Sequence, residues 1–338
     1  MKNKFLLAMT ILSLSTLSSC GARSNRISLF LYDDSDTFIT SLRDAIFNEM
    51  KPEFDIDMVN YAEINQTIQN EQIVKELEKN KPSLMIVNIV DRLAASSIIE
   101  KAKLSNTPAI FINREPLLED LEGSNNIFYV GVNSTKEGEL QGKLANQIFN
   151  GKDQFLSKHD RNHDKKLGVI ALKGSMGHQD SELRIKNSLL TLKKSGYDVD
   201  LLSVKYCEWN RAIAKEEFAL DYSEFDERID LVLSANDDMA LGAIDYLKTL
   251  YDYIPTLEIK EQYFPVVGND ATNVAKESIK KGQLSGTIVN DANEQAKAIK
   301  GITKVLLSDN PNDWSKFEYK FENGHFIYIP PKTYLNEE

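Results

Sequence analysis

Residues 174–184 read GSMGHQDSELR and set an imidazole, a carboxylate and a guanidinium close together, at His178, Asp180 and Arg184. An aspartate accepts hydrogen bonds, an arginine donates them and an asparagine does both, so such a set can saturate the hydroxyls of a polar ligand. Asp180 and Arg184 are four apart, so one helical turn places them on the same side. They then form either a surface ion pair or two arms of a binding site. The plainest alternative for the whole stretch is a helix N-cap, Asp180 or Ser181, with solvated neighbours. Similar compact polar groups follow other apolar runs: Asp36 after RISLFLY, Asn113 after PAIFI, Asn236 after LVLSA, Asp270 after PVVGN and Asn290 after LSGTIV. Each alone reads equally well as a turn former or cap. Their recurrence at the same end of successive runs favours a site.

The elements that must carry these residues alternate along the chain. Strand-length runs rich in Val and Ile, such as SLMIVNIV, PAIFIN and KLGVIALK, are separated by helix-length periodic segments. That rhythm predicts βαβ units and parallel sheets covered by helices on both faces. It occurs twice, so two α/β domains of doubly wound parallel sheet are expected. In open sheets of this kind, ligands bind beyond the carboxyl ends of the strands, where the polar groups fall.

The chain has 338 residues, enough for two ordinary cores. A formal charge of −11 and the lack of a dense basic run exclude nucleic acid as a partner. The N-terminus, MKNKFLLAMTILSLSTLSSC, has two lysines, an apolar stretch from Phe5 and then small residues. This is a secretory signal whose apolar run is too short for a comfortable membrane span. Its removal takes Lys2 and Lys4 with it and lowers the formal charge from −11 to −13. Two cysteines exist, Cys20 and Cys207. Cys207, in KYCEWN, has no histidine beside it and reads as a small packing residue.

The sequence resembles the periplasmic galactose/glucose-binding proteins of bacterial sugar ABC transporters. The carrying stretches are PAIFINREP, FYVGVNSTKEGELQG, LKGSMGHQDSELR, SANDDMALGA and SGTIVNDANEQAKA, and the likeness runs from about Arg26 to Pro330. It implies the type I periplasmic binding protein fold, with two lobes joined by three crossings near Val132, Asn290 and Tyr328. The lobes would comprise residues 26–132 with 290–327, and 133–289 with 328–338, after a signal peptide at 1–19 and a tether at 20–25. It also implies a sugar held between the rings of Phe38 and Trp209. The polar partners would be Asp36, Asn113, His178, Asp180, Arg184, Asn236, Asp270 and Asn290. A pyranose suits such a set, because its C–H faces stack on rings and its hydroxyls both donate and accept.

The N-terminal LSSC resembles a bacterial lipobox, which implies a diacylglycerol on Cys20 and anchoring to the outer face of a membrane. Two acyl chains suffice for stable attachment. With Cys20 lipidated, Cys207 has no partner for an intramolecular disulfide. Relatives also carry a calcium loop. Here DRNHDKKLG (160–168) keeps Asp160, Asn162 and Asp164 as alternating oxygen ligands, Lys166 offers its carbonyl, and Asp230 stands where a distant glutamate would complete the set. Lys165 replaces the turn glycine and Gly168 a side-chain ligand. A structural Ca²⁺ and a plain solvated turn both stay open, and no other cofactor is expected.

The resemblance implies a monomeric, non-enzymatic binding protein for D-galactose or D-glucose. Its partners would be an ABC permease and, as a second receiver of the closed form, a chemoreceptor. Another monosaccharide is the alternative ligand. A repressor effector domain shares the fold but does not fit the signal peptide. A sugar enzyme lacks support, since no P-loop, zinc motif or GxSxG occurs.

Overall fold

The computed structural model describes residues 26–250, 263–311 and 313–336. The signal segment and Cys20 lie outside the described residues. The first lobe runs β1 (Arg26–Leu31), α1 (Thr37–Met50), β2 (Asp55–Tyr61), α2 (Gln66–Lys79), β3 (Leu84–Val87), α3 (Ala95–Leu104), β4 (Ala109–Ile112), α4 (Leu118–Leu121) and β5 (Ile127–Gly131). The chain then crosses into α5 (Ser134–Ile148), α6 (Lys152–Lys158), β6 (Leu167–Lys173), α7 (Gln179–Lys194), β7 (Val199–Tyr206) and α8 (Arg211–Phe225). The second lobe continues with β8 (Leu231–Ser234), α9 (Asp237–Leu250), β9 (Val266–Val267), α10 (Asn273–Lys280) and β10 (Thr287–Val289). Finally α11 (Ala292–Leu306) and β11 (Phe326–Tyr328) return to the first lobe, and β12 (Lys332–Tyr334) goes back to the second.

Alternation of side chains explains the layers. In β1, Ile27, Leu29 and Leu31 point to the face covered by α1 and α11, while Phe30 points to the face covered by α2 and α3. Each such fully buried chain contributes about 1.5–3 kcal/mol of transfer free energy. The first sheet has the order β2-β1-β3-β4-β5-β11, and its pairings are parallel. The second has the order β7-β6-β8-β9, also parallel, around a core of its own. The expected architecture of two doubly wound parallel-sheet domains is the one observed. One feature departs from it: β10 and β12 pair antiparallel in a separate two-stranded sheet.

That small sheet clarifies the hinge. β11 pairs with β5 and includes Tyr328, whereas β12 pairs with β10, so the last crossing lies between Tyr328 and Lys332. The other two follow β5 and β10. Strand order reverses between β1 and β3 in one lobe and between β6 and β8 in the other. These are the topological switch points at which doubly wound sheets bind ligands, and here their strand ends line one shared cavity.

Candidate functional site

Asp36 and Asn113 lie past β1 and β4 on the first wall. Asp36 caps α1 by accepting from the Ile39 amide at 2.9 Å, which fixes one carboxylate oxygen. The other accepts from the Tyr32 hydroxyl at 2.6 Å. The Arg114 guanidinium lies 3.9 Å over the Tyr32 ring. Asn113 has a left-handed backbone (φ 61°), held by Tyr129 donating to its carbonyl at 2.9 Å. Asn88 donates to the Asn113 side-chain oxygen at 3.2 Å. Phe38, one residue into α1 after Thr37, is buried and faces the same cavity.

The opposite wall is built on α7, and here the local sequence reading needs correction. The helix starts at Gln179 with His178 as a cap residue that makes no side-chain capping bond. Asp180 and Ser181 are therefore not N-caps. Both are buried in the first turn, where Asp180 accepts from Ser134 at 2.8 Å and Ser181 from the Gly174 amide at 2.9 Å. Arg184 does not pair with Asp180 either. Its Nε meets Glu137 Oε2 at 2.8 Å, its Nη1 donates to the Ala235 carbonyl at 2.9 Å, and its Nη2 lies 3.9 Å from Asp270.

Trp209 and Asp270 share with Asn113 a positive φ, at 62°, 113° and 61°. Such backbone costs about 1–3 kcal/mol for a non-glycine residue and concentrates where function imposes it. The Trp209 indole meets His178 edge-on at 4.9 Å between ring centres. Its carbonyl accepts from Asn236, whose own oxygen caps α9 through the Met239 amide at 2.9 Å.

Nine of the ten expected residues (Asp36, Phe38, Asn113, His178, Asp180, Arg184, Trp209, Asn236 and Asp270) line one narrow cavity between the lobes. Asn290 does not line it. It stands behind Asp270, donating to that carboxylate at 3.4 Å, and opens on the neighbouring cleft lined by Phe38 and Asp270. Tyr32 and Arg114 complete the lining, and Glu137 and Asn269 support it from behind. Further contacts bridge the lobes: Gln179 reaches Glu115 at 3.5 Å, and Asp238 accepts from Thr37.

Electrostatics follow from burial. Desolvation, then the charges of Arg114, Arg184 and Arg92, hold the His178 imidazole well below its usual range, so it is neutral. Its Nδ1 is buried without a protein partner. Burial pushes the Asp270 carboxyl well above its ordinary value, with Arg184 opposing and Asp237, Glu137 and Asp36 reinforcing. Burial would lower Arg184, but Glu137, Asp270 and Asp180 together raise it further. Cys207 is a free, buried thiol pushed up to about 12 by burial, which suits packing and not nucleophilic chemistry.

The loop at 160–168 holds itself together. Asp160 Oδ2 accepts from the Lys165 amide at 2.9 Å, Asp164 from the Lys166 amide at 2.8 Å and from Asn162 at 3.0 Å. Asp230 takes the amides of Arg161 and Gly168, at 3.2 and 2.8 Å. Lys165 adopts φ 67° in place of a glycine. Only one of these carboxylate oxygens, Asp160 Oδ1, is buried without a partner. Among the described residues no group of three or more His, Cys, Asp or Glu is arranged to hold a metal. The donor set fits a hydrogen-bonded turn better than a calcium cage.

Residues 27–308 match the family described as periplasmic binding protein domain. The chain is 31% identical over 322 residues to the D-galactose/methyl-galactoside binding periplasmic protein of Haemophilus influenzae, covering 94% of this chain and 92% of that one. It is 22% identical over 286 residues to a putative rhizopine-binding protein of Rhizobium meliloti, covering 84% of each. Among solved structures, it shares the fold of an ABC transporter solute binding protein from Bacillus halodurans with bound myo-inositol (TM-score 0.72, 21% identity, 92% of this chain and 94% of that one). A periplasmic solute binding protein from Actinobacillus succinogenes with bound D-allose is equally similar (TM-score 0.73, 21% identity, 92% and 97%). A match over most of both chains, with facing switch points that line one polar cavity, means that this chain belongs to the periplasmic binding protein family.

Proposed function

We propose that the protein captures D-galactose or D-glucose between its lobes and delivers it to an ABC transporter permease. It binds and does not transform its ligand, as the family to which it belongs does. The carrying observation is the cavity itself, with Phe38 and Trp209 on opposite walls and donors and acceptors around them. The rings suit the apolar faces of a pyranose. Asp36, Asn113, Asp180, Arg184, Asn236 and Asp270 suit its hydroxyls, and Asn290 steadies Asp270. A buried site of this kind rejects analogues that leave a partner unpaired. The relative at 31% identity is named for D-galactose, which supports this choice. Another monosaccharide or a polyol is the second reading, supported by relatives named for rhizopine and xylitol.

The closed lobes are the form that the permease recognises, and a chemoreceptor is a second receiver of the same surface. Export by the signal segment fits the family. In this reading Cys20 carries the diacylglycerol and the protein works as a tethered monomer that does not need calcium. Incubation with radiolabelled D-galactose, followed by denaturation, tests the binding role. One equivalent of unmodified sugar should be recovered per protein, whereas a converted product would make the protein an enzyme.

A further inference from the structure

From the ion pair behind the cavity, we infer that Glu137 sets ligand specificity: it lets Arg184 serve as a hydrogen-bond donor without presenting a net positive charge, so the site takes neutral hexoses and excludes hexuronic acids. This rests on the sugar-binding reading above. Glu137 lies in the first turn of α5, just past the first crossing, and is fully buried. An acid in a first helical turn is ordinary in solvent, where the helix dipole favours it. This one is turned inward. Its Oε2 engages Arg184 Nε at 2.8 Å and its Oε1 accepts from Asn269 at 3.1 Å.

The placement is enforced by backbone packing. A Cβ on Gly138 would lie 2.3 Å from the Arg184 carbonyl oxygen, so α5 and α7 touch at this level. With Nε given to Glu137 and Nη1 to Ala235, Nη2 is the part of the guanidinium left to face a ligand. Asp180 and Asp270 face the same arginine and raise its affinity for its proton together with Glu137. Glu137 and Asp180 thus flank the guanidinium, and the Asp270 carboxyl lies 3.9 Å from Nη2. A sugar hydroxyl can still accept from Nη2, but a ligand carboxylate would find Arg184 already neutralised by Glu137 and the other arginine of the lining, Arg114, stacked on Tyr32 of the opposite wall. Rejection by uncompensated like charge is a direct route to specificity.

The test compares D-galactose with D-galacturonate by calorimetry. In the unmutated protein galacturonate should bind at least about a hundredfold more weakly than galactose, and equal affinities would overturn the inference. Glu137→Gln keeps the shape and removes one negative charge. It should weaken galactose by about tenfold and raise the galacturonate-to-galactose affinity ratio by about tenfold or more. Glu137→Asp keeps the charge but withdraws it, and should weaken both ligands while leaving the ratio alone. A purely structural role would lower both affinities together in either variant, so a ratio in E137Q within about twofold of the native one overturns the inference. Equal affinities in the native protein overturn the inference even if E137Q does not fold. If the unmutated protein binds no neutral hexose, the sugar-binding reading itself fails and this inference falls with it.

Discussion

The Trp209 indole occupies the space that a side chain on residue 174 would need: a Cβ there would lie 2.0 Å from Cε2 of the ring. Gly174 directly follows β6 and donates its amide to Ser181, so its backbone cannot retreat without disturbing the start of α7. Gly174→Ala should therefore push the indole out of the cavity and weaken sugar binding by about tenfold or more, the scale of losing an aromatic anchor. Near-ultraviolet circular dichroism would report the displaced ring. Unchanged affinity together with an unchanged spectrum would show that the ring does not depend on this glycine.

Trp209→Ala should weaken binding by about 1–3 kcal/mol. The other tryptophan, Trp314, packs against Phe128, Phe317 and Phe321 in the first lobe, with ring centres 5.0–5.3 Å apart. Trp314→Phe thus isolates the signal of Trp209, whose emission should shift when sugar is added. A silent spectrum in a variant that still binds sugar would remove Trp209 from the site.

His178 makes stability depend on pH in a defined direction. Its folded pKa lies well below the ordinary value of about 6.5, so below that pH the unfolded chain takes up a proton that the folded one does not. Its contribution is intact above pH 6.5 and declines as pH falls towards the folded value, by up to about 1.4 kcal/mol per pH unit. Asp270, raised by burial, acts in the opposite sense, stabilising at low pH and less as pH rises through its folded pKa. The comparison of native protein with His178→Gln isolates the histidine: denaturant titrations should show that the variant loses less stability than the native protein between pH 6.5 and 5. Parallel curves would mean that the imidazole is protonated in the fold.

Much of this was legible because a doubly wound fold converts chain position into spatial position. Asp36, Asn113, His178, Asn236 and Asp270 all follow strands, and strand ends on the same side of two facing sheets line one cleft. The partners within the cleft were less legible. Glu137 reads in sequence as an ordinary first-turn acid, and only the packing of α5 on α7 brings it to Arg184, 47 positions away. Tyr32 sits in an apolar strand run where its hydroxyl gives no signal, and Arg114 next to Asn113 reads as a solvated charge until it stacks on Tyr32. Ser181 and Asp180 are good capping types and offer a later start for α7, whereas a turn at Gly177 (φ 75°) lets the helix begin at Gln179. The pairing of β10 with β12 joins segments separated by some forty residues and leaves no local pattern.

The loop at 160–168 gives a metal prediction. Since Asp160, Asp164 and Asp230 already accept from loop amides, removing calcium with a chelator should leave the melting temperature within about 1 °C of the untreated value. Adding calcium back should do no more. A rise of several degrees on addition would show that the loop binds the ion despite Lys165 and Gly168.

On this proposal the cavity between the lobes binds a neutral hexose. Isothermal titration of the soluble chain starting at Gly21 against D-galactose, D-glucose, D-allose, D-xylose, L-arabinose and myo-inositol tests it most directly. One site per chain is expected, with D-galactose or D-glucose the tightest ligand and the two pentoses, which lack the C6 hydroxymethyl group, much weaker. Binding of myo-inositol or a pentose in preference to both hexoses, or no heat with any of them, would contradict it.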